Sequence, residues 1–187
     1  MNPLVVNVVE LVRKPAQRKH VSTAALVENV VVGDARVMDG VPAQVALDLE
    51  SLSDGVVVTG RVSAAYEATC RRCLGPVTGD LAADVLELYQ RHPTTEEAYP
   101  FDGELLDLVP LVREALALEL PLAPLCRPDC RGLCSTCGAN RNETDCGHRP
   151  DTSDLRWAAL DVLRDKLEDV TGDEEDPSSG GSPALGN

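Results

Sequence analysis

The chain has 187 residues, of which 43% are apolar and 26% charged, and its formal net charge at pH 7 is −14. This apolar content excludes a chain that is disordered throughout. The acidic charge excludes a protein that wraps nucleic acid over its whole surface, although local basic patches remain compatible with it.

The first half of the chain predicts strands. Residues 4–12 are apolar and predict a strand or a short helix. Residues 26–69 contain short Val-rich and alternating runs separated by glycines, which is typical of β-structure. A further strand is predicted over residues 81–90. The segment 70–76 lies between these strands, so we expect it at the tip of a long hairpin.

Two helices and a tail are predicted after the strands. Apolar residues recur at three- and four-residue steps over 105–120, with Pro110 suited to a first turn. A second main helix is predicted from Asp154, and the acidic, then Ser/Gly/Pro-rich segment 171–187 predicts disorder. We therefore expect one α+β domain over 1–170, built on an antiparallel hairpin-rich sheet or partial barrel with two main helices and a zinc-bound C-terminal segment.

Cysteine is the most informative residue type. No run approaches the roughly 18 apolar residues of a membrane span, and the N-terminus lacks the basic start of a signal peptide. We therefore expect a cytoplasmic protein. Thiols stay reduced in the cytoplasm, and the number of cysteines, seven, is odd, so we do not expect a disulfide framework. One histidine completes eight candidate metal ligands in four close pairs. In chain order these are Cys70 and Cys73, Cys126 and Cys130, Cys134 and Cys137, and Cys146 and His148.

Eight ligands in four pairs predict two closed zinc sites, because structural zinc takes four Cys or His ligands as two short-spaced pairs. Two partitions are open. In the favoured one, the third and fourth pairs form a compact ribbon-like site, and the first pair joins the second. In the other, the second and third pairs combine, and the first joins the fourth. Redox-active thiols and an iron–sulfur cluster are alternatives, but the first pair lacks the βα context of a thioredoxin-like site.

No feature of the sequence indicates catalysis. Closed, thiolate-rich zinc sites hold a fold together, whereas a catalytic zinc keeps an open position. The chain also lacks a P-loop, a G-x-G-x-x-G and a G-x-S-x-G motif. We therefore expect a protein that is not an enzyme.

Arginines cluster beside the candidate ligands. They either compensate the negative charge of zinc–thiolate centres or form a basic face for RNA phosphates. Aromatic residues are not interleaved with them, so base stacking is not indicated. The six arginines are Arg71, Arg72, Arg127, Arg131, Arg141 and Arg149.

Several of these motifs, in this order and spacing, resemble the YceD-like family of large ribosomal RNA subunit accumulation proteins. The resemblance covers roughly residues 5–168 and is carried by Leu11–Ala16, Cys70–Val77, Leu120–Cys126, Gly132–Gly138 and Asp151–Leu160. It implies a cytoplasmic bacterial protein that supports accumulation of large-subunit rRNA and has no established enzymatic activity. It also supports joining the first and second pairs. His148 stands where the family more usually has cysteine.

The leading hypothesis is a non-enzymatic ribosome-biogenesis factor that acts on large-subunit (23S) rRNA or on a precursor ribosomal particle, with two structural Zn²⁺ ions per chain. The alternative is an acidic adaptor that binds a basic ribosomal protein or a ribonuclease without touching RNA. A redox sensor using the first pair is a third hypothesis.

Overall fold

The structure, a computed structural model, describes residues 2–13, 16–93, 98–101 and 103–149. This part of the chain forms a mostly antiparallel sheet system with two helices, an α+β arrangement. Its elements are β1 (Val5–Asn7), α1 (Val9–Arg13), β2 (Arg18–Ala25), β3 (Val31–Val32), β4 (Ala35–Val37), β5 (Ala43–Ser51), β6 (Gly55–Thr69), β7 (Pro76–Gln90), β8 (Tyr99–Pro100), β9 (Leu105–Asp107) and α2 (Val109–Glu119).

The main sheet runs β2–β5–β6–β7 with antiparallel neighbours. The short β4, with β3 beyond it, pairs with the far part of β6, and β8 lies parallel to the end of β7. Within the described residues β2 pairs with β5 alone, so the sheet is open at that edge and does not close into a barrel.

Alternation along the strands explains which face is buried. In β5, Val45 and Leu47 are buried while Ala46 and Asp48 are exposed, as expected for a strand with one face in the core. Helix α2 covers this inner face with Leu111 and Leu116, both buried. Val, Leu and Ala make up most of the core, which accounts for the low aromatic content.

The outer face of the sheet carries cross-strand ion pairs. Such pairs of opposite charge stabilise neighbouring strands modestly and satisfy each other's charge. His20 also lies in β2, where its Nδ1 is 2.8 Å from an oxygen of the Asp48 carboxylate in β5. The ion pairs are Arg18–Glu50, Arg36–Glu67 and Arg61–Asp84.

Strands β6 and β7 form a hairpin with 15 residues in each strand, and its tip is the segment 70–75. β7 begins five residues earlier than the sequence predicted. Gly60 allows β5 to lie close to β6, because its φ is +141° and a Cβ there would come within 2.2 Å of the Ala46 carbonyl oxygen. Cys70 and Cys73 both lie in the tip of this hairpin.

The helix predicted over 105–120 is shorter than expected. It begins at Val109, whose N–H is bonded by the Asp107 side chain, and Pro110 lies in its first turn. Residues 105–107 instead form β9, which pairs with β1. The helix predicted from Asp154 and the tail 171–187 lie outside the described residues. Within the described part of the chain, no helix is long and apolar enough to cross a membrane.

Candidate metal centres

The hairpin tip is a tight loop around Cys70. The N–H of Cys70 donates to the Gly75 carbonyl at 2.8 Å, and the N–H of Leu74 donates back to the Cys70 carbonyl at 3.0 Å. Leu74 completes the loop with a left-handed φ of +58°. Backbone N–H groups of Cys73 and Cys126 lie at the Cys70 sulfur and lower the pKa of its thiol to about 6. The loop therefore favours the thiolate at this position.

The segment after α2 brings a second cysteine pair to this tip. The Cys70 and Cys130 sulfurs are 3.8 Å apart, and those of Cys73 and Cys126 are 3.6 Å apart. All four sulfurs lie within 4.8 Å of one another. With Zn–S bonds of about 2.3 Å, tetrahedral geometry separates two sulfurs by about 3.8 Å. We call this group the first centre, and its dimensions suit one tetrahedral ion.

The thiols of the first centre have unequal proton affinities. The hydrogen bond with the Cys73 thiol, followed by burial, raises the pKa of Cys126 to about 12. Burial acts to raise the pKa of Cys130, but hydrogen bonds from the Asn142 amide, the Gly132 N–H and the neighbouring Cys126 and Cys73 thiols together leave that pKa lowered. Close thiolates repel one another when no cation lies between them, whereas a bound cation favours the deprotonated form of all four.

A second loop of the same construction surrounds Cys134. Its N–H donates to the Ala139 carbonyl at 2.8 Å, and the Gly138 N–H donates to the Cys134 carbonyl at 2.8 Å. Gly138 has a left-handed φ of +72°. Backbone N–H groups of Cys137 and Thr136 lower the pKa of the Cys134 thiol to about 6.

The chain returns to this loop nine residues after Cys137. Gly147, with a left-handed φ and its N–H bonded to the Asp145 side chain, turns the chain between the last two ligands. Cys134 is buried, whereas His148 is exposed. The four ligand atoms lie within 4.8 Å of one another; this second centre consists of Cys134, Cys137, Cys146 and His148.

The structure thus groups the eight candidate ligands as in the favoured partition. Each group offers four sulfur or imidazole donors within one ion's reach, so each could hold a metal ion. Neither group includes a carboxylate, which matches the donor preference of a thiophilic metal better than that of calcium or magnesium.

Residues 58–164 match the model of the family described as large ribosomal RNA subunit accumulation protein YceD. The chain belongs to the YceD family. It is 33% identical to an uncharacterized protein of Mycobacterium tuberculosis over 96% of this chain and 86% of the relative. An uncharacterized Mycobacterium leprae protein is 35% identical, covering 86% and 77% of the two chains. A chloroplastic YCED homolog of Arabidopsis thaliana, named as a large ribosomal RNA subunit accumulation protein, is 22% identical over 72% of this chain and 52% of its own length. No solved structure matches this chain.

In this YceD-family chain, protein acceptors hold three of the six arginines that lie beside the candidate ligands. The guanidinium of Arg71 donates to the Leu122 carbonyl at 2.9 and 3.2 Å, and that of Arg72 donates to the Cys130 carbonyl at 2.9 Å. The Arg127 guanidinium donates to the Asn142 side chain at 2.8 Å. These arginines fasten the segment after α2 to the hairpin tip and to the second centre.

The other three arginines are Arg131, Arg141 and Arg149. Among the described residues, no side-chain hydrogen bond or ion pair holds their guanidinium groups. Arg131 and Arg149 are exposed, and Arg141 is half-buried. Their positions are fixed through the backbone instead, since the Arg141 N–H donates to the Gly132 carbonyl at 2.9 Å. They contrast with the paired arginines on the outer face of the sheet.

Sequence reasoning missed Asn142, which lies between the two centres. Its Oδ1 accepts the N–H of Arg131 and the Arg127 guanidinium, each at 2.8 Å. Its Nδ2 donates to the Cys130 sulfur at 3.3 Å and to the Asn140 Oδ1 at 2.8 Å. No spacing pattern distinguishes this asparagine from other loop residues, so only the three-dimensional contacts reveal it.

Gly132 and Leu133 join the second centre to the hairpin tip. The Leu133 N–H donates to the Arg72 carbonyl at 3.0 Å. Gly132 has φ +72°, and a Cβ there would lie 2.9 Å from that same carbonyl oxygen. A larger residue at Gly132 would therefore push the two centres apart.

Proposed function

We propose that this chain is a non-enzymatic ribosome-biogenesis factor of the bacterial cytoplasm that supports accumulation and assembly of large-subunit (23S) rRNA. Two structural zinc ions would fix an arginine-bearing segment that contacts rRNA or a precursor ribosomal particle. The observation that carries this proposal is the closure of eight ligands into two four-donor centres beside unpaired arginines, in a chain of the YceD family.

Zinc is the metal that the donor sets favour. Four thiolates in one centre, and three thiolates with one imidazole in the other, are typical closed structural zinc sites. Elemental analysis of the purified chain should give about two zinc ions per chain. A stable, fully reduced and metal-free protein would contradict this part of the proposal.

The RNA contact is assigned to Arg131, Arg141 and Arg149, because their guanidinium groups are the ones left without a protein acceptor in the described cysteine-rich segment. Phosphate oxygens are the acceptors that arginine recognises best in RNA. The acidic remainder of the chain repels RNA and so limits nonspecific binding. Each of the three would add one phosphate contact at the end of the long hairpin.

The first test is sedimentation of the native protein in a cell lysate, with and without RNase. Co-migration with large-subunit precursors that RNase abolishes supports rRNA contact. Migration only at the top of the gradient contradicts it.

The second test is the salt dependence of binding to a large-subunit rRNA transcript. Changing the three arginines to alanine should reduce the slope of log K against log salt by about 2 to 3. A matched control removes the same charge from the sheet through Arg18→Ala, Arg36→Ala and Arg61→Ala, and should leave the slope nearly unchanged. Equal effects of the two triple variants would contradict a local contact.

The adaptor hypothesis is favoured by one observation. The described arginines on the outer face of the sheet are all paired with acids, while Asp80 in β7 stays exposed, as does Asp39 in the turn after β4. An acidic sheet of this kind could receive a basic ribosomal protein or a ribonuclease. It predicts no measurable RNA affinity in the salt experiment and a protein partner that is retained after RNase treatment.

A further inference from the structure

We propose that Asn142 couples the two metal centres, so that a metal ion in the second centre raises the affinity of the first. The inference rests on the metal binding proposed above and adds a regulation of that same site. Asn142 acts as a positioning residue: it belongs to the loop of the second centre, but it donates to a ligand of the first.

The amide of Asn142 uses its full hydrogen-bonding capacity. Its Oδ1 accepts two N–H groups, from Arg131 and Arg127, and its Nδ2 donates to Asn140 and to the Cys130 sulfur. Cys130 is only 2% exposed, so water has little access to that sulfur. The Asn142 amide is therefore the side-chain donor that replaces water at a buried ligand.

The position of Asn142 depends on its loop. The backbone N–H of Arg141 holds the base of the loop by donating to the Gly132 carbonyl. Within the loop, the backbone N–H groups of Asn142 and Thr144 donate to oxygen atoms of Asn140. Its two ends are ligands of the second centre, Cys137 and Cys146. Without a metal ion to join these ends, the few remaining bonds of a largely exposed segment do not offset the conformational entropy of ordering it.

The consequence for the first centre follows from the chemistry of its outer contacts. An N–H group that donates to a metal-bound thiolate stabilises it, and loss of such a partner lowers metal affinity about 10–100-fold. An empty second centre should therefore weaken the first by a factor in that range. Because coupling between sites is reciprocal, a metal ion in the first centre should strengthen the second by the same factor.

The test is titration of the full chain with Co²⁺, followed by the visible absorption of the cobalt–thiolate centres. Cys134→Ser with Cys137→Ser removes the second centre and should lower the Co²⁺ affinity of the first about 10–100-fold. Asn142→Ala should lower it by a similar factor with both centres intact. All three changes together should cause no further loss, because both routes remove the same contact.

Thr144→Ala is the matched control. It changes an exposed residue of the same loop whose side chain takes no part in these hydrogen bonds. It should keep the wild-type affinity of the first centre. Native mass spectrometry at limiting Zn²⁺ gives a readout that does not depend on the serine variants. The half-loaded species should be more abundant in Asn142→Ala than in the wild type.

Three results would overturn the inference. Equal first-centre affinities in the wild type, the double-serine variant and Asn142→Ala would show that the centres are independent. Additive losses would show that Asn142 acts by general destabilisation and not through the second centre. A protein that binds no metal ion at either centre would overturn the proposed zinc sites themselves, which separates that failure from a failure of the coupling.

Discussion

The loops around Cys70 and Cys134 have the same backbone construction but lie in different surroundings. In both, the first cysteine bonds the residue five positions later, and a left-handed residue stands four positions later. The first loop joins two 15-residue strands and meets a pair from a distant segment. The second lies in a chain of turns and meets ligands nearby in sequence.

The same local loop construction therefore takes part in closing chain segments of very different length. The Cys73 and Cys126 sulfurs link positions 53 residues apart, whereas Cys137 and Cys146 are nine residues apart. A metal ion that stays bound to its ligands in the unfolded chain restricts that chain more strongly when it closes the longer loop, by about 1.6 kcal/mol on a logarithmic length dependence. The first centre should therefore stabilise the domain, and the second should organise its own segment.

Removal of one ligand from each centre is the strongest way to break this comparison. Cys70→Ser should lower the free energy of unfolding of the sheet by at least about 1.6 kcal/mol more than Cys137→Ser. Denaturant unfolding followed by far-ultraviolet circular dichroism, in the presence of zinc, measures both. Equal losses would mean that the first centre does not act as a long-range crosslink.

The left-handed position of the second loop gives the next largest effect. Gly138→Ala should weaken metal binding at the second centre by about 1–2 kcal/mol, because a residue with a Cβ pays that cost in the left-handed region. Space is not the reason, since a Cβ at Gly138 would have no neighbour within 4 Å. Competition with a chelator measures the affinity, with Ser135→Ala as the control. An unchanged affinity would contradict the role of the left-handed turn.

The arginines give a smaller contrast. Arg72→Ala should destabilise the domain by about 1–2 kcal/mol, because the Cys130 carbonyl loses a charged donor. Arg131→Ala, at an exposed guanidinium without a described partner, should change stability by less than about 0.5 kcal/mol. Thermal unfolding of both variants with zinc bound compares them. Similar losses of stability in the two variants would contradict the distinction between arginines that donate to protein acceptors and those that do not.

Leu74→Gly should give a small stabilisation, with the opposite sign to Gly138→Ala. Leu74 adopts φ +58° and is 65% exposed, so glycine removes backbone strain at little cost in burial. The gain is reduced by the larger entropy of glycine in the unfolded chain, which leaves about 0.5–1 kcal/mol of stabilisation. Thermal unfolding measures it, and a destabilised variant would show that the Leu74 side chain makes a contribution that its exposure does not suggest.

The sequence allowed the site to be predicted further than the fold around it. Ligand spacing named the eight residues and left two partitions, because spacing alone cannot say which pairs meet. The hairpin tip was predictable because strong alternating runs flank Cys70 and Cys73. By contrast, Leu105 fits a helical period with Leu108, and the three-residue β9 is too short to show alternation.

The contacts of side chains with the backbone were beyond prediction. Arg71, Arg72 and Arg131 all lie beside candidate ligands in the sequence. Arg71 and Arg72 nevertheless bind carbonyl groups that only the folded chain brings near. The same holds for Asn142, whose partners come from separate turns. Such contacts depend on chain paths that neither period nor spacing encodes.

The length of the β6–β7 hairpin fixes a long distance within the molecule. Fifteen residues of extended strand have a contour length of roughly 45–50 Å. The candidate metal centres lie at one end of this span, and the Gly55–Gln90 pair lies at the other. A ligand bound at the tip would therefore be separated from the opposite end of the hairpin by a distance that the number of paired residues sets.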